Sequence, residues 1–167
     1  MCSDFLQENK RGRVKKAGLF VYVRDGSISE LQDLKSGCIC LDNCISIKQN
    51  LSVLALIGQG LKFNDEIDMA NGWVLRSSWH HFILGHEVNV TFNSFKDCLK
   101  MFGFALANEG GYDVEDLKKK HDDLLKSLLG EPQEKNEVMA AYEFTWGSII
   151  SYKDPRGGVC SINVIWV

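Results

Sequence analysis

The sequence predicts an α+β fold, a mostly antiparallel sheet with two packed amphipathic helices. Three observations predict it. Val88, Val90 and Phe92 alternate with Glu87, Asn89 and Thr91, the period of a strand with one buried and one wet face. Asp113 to Leu129 carries apolar residues at helical spacing and is stopped by Gly130 and Pro132. The chain closes on two β-rich runs, Tyr142 to Tyr152 and Val159 to Val167, around the turn composition Asp154-Pro155-Arg156-Gly157-Gly158.

Taken in order, residues 1–16 are polar and basic without a sustained period and read as an N-terminal arm, leaving 17–167 as a single α+β domain. Gly18 to Arg24 is β-rich and ends at Asp25-Gly26, so it reads as a strand. Ser27 to Lys35 reads as a short helix, with Ser27 and Glu30 in a capping-box pattern and Gly37 closing it. Cys38 to Ile57 stays open between a helical turn and buried strands, because periodicity cannot arbitrate short apolar runs. Asn64 to Gly72 reads as an acidic loop.

Trp73 to Phe92 reads as strand, turn, strand with the break at Gly85. Ser94 then reads as a helix cap with Asp97 three residues on, and Phe95, Cys98, Leu99, Phe102, Ala105 and Leu106 as the core-facing stripe of a helix ended by Gly110-Gly111. In the second helix Val114, Leu117, Leu124, Leu125 and Leu128 form the expected stripe, and His121 is expected to be partly exposed. The closing hairpin places Tyr142, Phe144, Trp146, Ile150 and Tyr152 on one face of its first arm, and Cys160, Ile162, Val164 and Trp166 on one face of its second.

At 167 residues the chain can bury roughly 70% of the surface its unfolded form exposes, enough for a core without staples. Its net charge of −3 hides an asymmetry. Residues 1–24 are net basic, and residues 109–137 are net acidic. The slight acidity argues against direct nucleic-acid binding, which favours a high pI. No apolar run approaches membrane-spanning length, and the N-terminus lacks a signal-peptide core, which predicts a cytoplasmic protein whose six cysteines stay reduced.

Catalytic and metal-binding patterns are weak. Cys38-x-Cys40-x3-Cys44 and His80-His81-x4-His86 depart from zinc-module spacing. Cys98 and Cys160 fall on expected buried faces, whereas a reactive thiol needs an accessible, electropositive setting. The glycines at 58 and 60 lack the remainder of a dinucleotide fingerprint. The acidic pairs lack an apolar pocket to raise a pKa. No cofactor, metal ligand or catalytic residue is therefore assigned. Trp146 and Trp166 read as core, Trp73 and Trp79 as interface candidates.

Leu129-Gly130-Glu131-Pro132 is followed by Tyr142-x-Phe144-x-Trp146-Gly147, Ser151-x-x-Asp154-x-Arg156 and Ile162-x-Val164-x-Trp166. This succession resembles the C-terminal part of bacterial immunity proteins from polymorphic, contact-dependent growth inhibition toxin systems. The resemblance covers roughly the last 55 to 75 residues, counting the two helices as a soft match. It implies a non-enzymatic cytoplasmic antidote that binds a co-encoded toxin, a nuclease in many such systems, and blocks its active site. A nuclease is basic so as to hold phosphates, so acids would speed and select the encounter. The expected contact residues are Asp65, Glu66, Asp68, Trp73, Trp79, Glu115, Asp116, Asp122 and Asp123. Two rival readings stand beside it. One is an enzyme or metal-binding protein centred on Cys38, Cys40, Cys44, His80, His81 and His86; the other is an adaptor or chaperone for a secreted protein.

Overall fold

The computed structural model describes residues 34–107, 113–156 and 158–167, together with the backbone of short strands between 14 and 28. Its contacts group into Met1–Leu31 and Gln32–Val167. In the first unit β1 (Val14–Lys16) pairs with β2 (Leu19–Val21), and β3 (Val23–Arg24) with β4 (Ser27–Ile28), both antiparallel. The expected helix from Ser27 to Lys35 is therefore corrected. Ser27 pairs with Arg24, which commits its backbone to a hairpin, and a 3-10 turn is observed at Leu34–Ser36. Residues 1–13 of the expected arm and 29–33 lie outside the described residues.

The second unit contains the open stretch, which resolves into a hairpin and a short helix. These are β5 (Ile39–Leu41), β6 (Ile45–Ile47) and α1 (Val53–Gly58), with Ser52 Oγ accepting the Ala55 N–H as N-cap. Next come β7 (Asp65–Asp68), β8 (Trp73–Ile83), β9 (His86–Phe95) and β10 (Cys98–Leu106). After α2 (Val114–Leu129) follow β11 (Glu134–Lys135), β12 (Met139–Phe144), β13 (Gly147–Lys153) and β14 (Cys160–Trp166). Eight of these strands form one sheet in the order β11-β12-β13-β14-β10-β9-β8-β7, every pair antiparallel. The mostly antiparallel α+β expectation holds in outline, but the sheet dominates and there is one long helix among the described residues.

The first expected long helix, from Ser94, is instead a strand. Phe92 faces Phe102 and Val90 faces Phe104 across β9 and β10, joined by a two-residue turn at Lys96 and Asp97 with φ of 47° and 64°. Such a turn normally calls for Asn-Gly or Asp-Gly, so Lys-Asp gave no turn signal, and Ser94 with Asp97 imitated a cap. β10 lies centrally between β9 and β14, where apolar residues serve both faces and a helical stripe fits by coincidence. Gly110-Gly111 lies outside the described residues.

Two further expectations are corrected. The acidic stretch at 64–72 contains β7, an edge strand held by Ile67 opposite Leu75. Tyr142 to Tyr152 is two strands, since Phe144 faces Gly147 across a tight turn. The turn inverts the facing, so Tyr142 and Ile149 point into the core while Tyr152 is exposed. At Gly147 a side chain would collide with the Ile165 carbonyl.

One sheet face carries the core: Tyr142, Ile149, Val164, Phe102 and Phe92 line up across five strands, with Ser151, Ile162, Phe104 and Val90 in the next row. Each large side chain buried here contributes roughly 1.5–3 kcal/mol. α2 covers β13, β14 and β10. The segment from Leu34 to Phe63 packs into the same core through Ile39, Leu41, Ile47, Leu56 and Leu61. Gly37 fits because its Cα lies beneath the Trp146 ring, where a Cβ would approach to 2.6 Å, and its carbonyl accepts the Trp166 indole N–H at 3.0 Å. Both tryptophans therefore pack into the core, as expected. Among the described residues no helix is long and apolar enough to cross a membrane.

Candidate protein-binding surface

The nine residues expected to contact a partner separate into two groups. Asp65, Glu66, Asp68, Trp73 and Trp79 gather along one edge of the sheet. β7 ends the sheet, and all four of its residues are exposed. Trp73 opens β8 at one end of this edge, where the Met69 N–H bonds the Trp73 carbonyl at 3.0 Å. Trp79 stands at the other end, its N–H donating to Asn64 Oδ1 at 3.0 Å. The two indoles are 38% and 48% exposed and flank β7, roughly 20 Å apart along the extended β8.

The three edge acids differ in their environments. Glu66 Oε2 accepts from Arg76 Nε at 2.7 Å. Arg76 also donates to Ser94 Oγ at 2.9 Å and lies 5.7 Å from the Phe63 ring centroid, so Glu66 holds a half-buried cation in place. Asp68 Oδ1 caps the following turn by accepting the Ala70 N–H at 2.8 Å. Asp65 faces Ser77 on the sheet face opposite the core.

That opposite face carries apolar groups the sequence reading missed. Ile67 and Met69 are 58% and 49% exposed. Met69, Trp73, Phe95, Met101 and Ile165 line an open groove of about 600 Å³, with Asn93 and Lys100 as polar members. Trp73 and Phe95 lie 5.3 Å apart between ring centroids. Ile67 and Met69 alternate with acids in Asp65-Glu66-Ile67-Asp68-Met69, and that period of two was the available signal. Phe95 reads from the sequence as part of a helical stripe instead, and Met101 is given no face there.

Glu115, Asp116, Asp122 and Asp123 lie elsewhere, on α2 over β13, β14 and β10. Asp122 is taken up internally, 2.6 Å from Lys118 Nζ and 3.7 Å from Lys135 Nζ. Glu115 pairs with Lys153. Asp116 and Asp123 are exposed. The α2 acids thus do not join the β7 edge.

Two polar constellations bear on catalysis. The first joins Cys160 on β14 to His121 on α2, with Sγ to Nδ1 at 3.3 Å. His121 is fully buried, against expectation, because the inward row of α2 runs Lys118, His121 and Leu125. Its Nε2 accepts the Leu106 N–H at 3.2 Å, so the ring hydrogen sits on Nδ1 and points at the thiol. Burial pushes the His121 pKa down to about 4, and burial pushes the Cys160 thiol up to about 11. Two neutral groups with the ring already donating to sulfur make a structural contact, since nucleophilic cysteines need the thiolate.

The second has triad spacing. His81 Nδ1 lies 2.6 Å from Asp42 Oδ2, and His81 Nε2 lies 2.6 Å from Ser78 Oγ. Asp42 Oδ1 also accepts the Phe82 N–H at 2.7 Å. The register of β8 shifts between Ser78 and His81, whose side chains meet there, and His81 reaches Asp42 in the β5–β6 loop. Access runs opposite to a hydrolase's needs. Ser78 is 2% exposed and its hydroxyl donates to the Lys62 carbonyl at 2.7 Å, an acceptor where an oxyanion site needs donors. Nothing in sequence spacing signals a contact spanning 39 residues.

The remaining candidates of the metal reading are dispersed. His80 pairs with Glu87 at 2.8 Å, and Cys38 Sγ contacts Ser46 Oγ at 3.4 Å. Among the described residues no group of three or more His, Cys, Asp or Glu side chains is arranged to hold a metal ion. No protein-family model, no curated protein and no solved structure matches this chain.

Proposed function

We propose that this chain acts by binding, as an immunity protein that covers the active site of a basic protein toxin, a nuclease for preference. The convergence of Asp65, Glu66, Asp68, Trp73 and Trp79 on one exposed sheet edge beside an apolar groove supports this reading. Aromatic anchors beside an apolar groove, rimmed by charge, match the anatomy of protein interfaces. A basic nuclease surface would be drawn to the acids at the encounter stage. The expectation of a cytoplasmic antidote belongs to the same reading.

The test is reconstitution. The chain is mixed with the C-terminal region of a secreted toxin encoded beside it, and binding is followed by calorimetry while nuclease activity is assayed. A one-to-one complex with loss of activity is expected. An unaltered toxin with no heat of binding would overturn the reading.

A second reading has one observation in its favour, the Asp42–His81–Ser78 spacing, which would serve ester or amide hydrolysis. An activated-ester assay on the wild type and Ser78→Ala decides it. Hydrolysis lost in the variant supports the hydrolase.

A further inference from the structure

Among the described residues no strand pairs with the outer side of β7, and this edge differs from the opposite one. β11 is two residues long, with Pro132 two residues before it, so it offers little to pair with. β7 runs for four residues, all exposed, and contains no proline or lysine to blunt it. The Met69–Trp73 bond sets the phase of its ladder. Asp65 and Ile67 then bond towards β8, while the N–H and C=O groups of Glu66 and Asp68 point away from it.

We propose that β7 receives an extended, basic segment of a partner protein as a ninth strand. This rests on the protein-binding reading and names how the partner engages. Main-chain hydrogen bonds to Glu66 and Asp68 supply the pairing, and side chains directly opposite supply the selectivity. A strand lying against β7 faces Asp68, Ile67, Glu66 and Asp65 in turn. Charge complementarity calls for Lys or Arg opposite each acid and an apolar residue opposite Ile67. An antiparallel segment therefore carries basic, apolar, basic, basic. The acids also repel a second copy of β7 and so disfavour edge-to-edge pairing of this chain with itself.

The probe is the synthetic hexapeptide Thr-Lys-Val-Lys-Lys-Thr, added to the nitrogen-15-labelled full chain. The comparison peptide has the same sequence with N-methyl groups on the lysines opposite Asp68 and Glu66. Slowed amide exchange at Glu66 and Asp68 is expected, with Asp65 and Ile67 little changed because their amides already bond β8. N-methylation should weaken binding by at least about tenfold, since it removes the pairing and keeps the charge. Asp65→Lys should weaken the unmethylated peptide while leaving the Glu66–Arg76 pair in place. Equal binding of both peptides, protection elsewhere, or no binding would overturn the strand addition. A toxin fragment that binds the chain without slowing the Glu66 and Asp68 amides would likewise remove it, and would leave the inhibitor reading standing.

Discussion

His121 and Cys160, 39 residues apart, meet at 3.3 Å where α2 crosses the sheet, both fully or nearly fully buried and both neutral. Burial holds the folded-state His121 pKa at about 4, below the unfolded value near 6.5. Between these values the unfolded chain binds the proton and the folded chain does not, so stability is full above about pH 6.5 and is lost as the pH falls towards 4. The loss should be roughly 3 kcal/mol. Urea midpoints of wild type and His121→Gln across this range check it. Carboxylate titration is common to both, so the wild type should fall more steeply, and parallel curves would contradict the assignment.

The same contact predicts thiol reactivity. With its pKa raised to about 11, Cys160 should resist alkylation at pH 8 in the folded chain, while the exposed Cys44 labels readily. Mass spectrometry of peptides after timed iodoacetamide treatment reads the order. Cys160 should label only on unfolding; early labelling would mean that its surroundings are open.

The Asp42–His81–Ser78 chain pins the β5–β6 loop to the bulge of β8. Asp42→Ala removes the acceptor of both the His81 ring and the Phe82 N–H. The expected destabilisation is about 2–3 kcal/mol, as for hydrogen bonds to a charged group. Denaturant unfolding measures it. A variant as stable as wild type would make the contact incidental.

Trp73 separates binding from folding. It is 38% exposed, so Trp73→Ala should cost about 1 kcal/mol of stability or less. As an anchor beside the groove it should cost at least about 2 kcal/mol of affinity for the proposed toxin partner. Calorimetry alongside thermal unfolding distinguishes the two. Asp65→Lys should slow association and weaken its salt dependence, read by stopped flow.

Legibility followed the locality of the signal. α2 was readable because its apolar spacing and its stop at Gly130 are local to the helix and its end. β9 and β14 were readable because one-faced alternation is a local property. β10 was not, because a central strand is apolar on both faces and its turn at Lys96-Asp97 uses positive φ at residues that do not favour it. The buried state of Lys118 and His121 was equally hidden, since Asp122 is local to them but Lys135 and Cys160 arrive from other places in the chain.

By itself the sequence determined the sheet-rich α+β character, the long amphipathic helix and the positions of the acidic and aromatic residues. These follow from hydrophobic period and composition, which each segment carries alone. Only the tertiary structure decided that Asp65, Glu66 and Asp68 form a paired edge with Trp73 and Trp79 at its ends, and that the α2 acids stand apart. Strand order decides which backbone groups stay unpaired, and it is set by long-range pairing energies summed over the whole sheet, so a short segment of sequence contains no record of it.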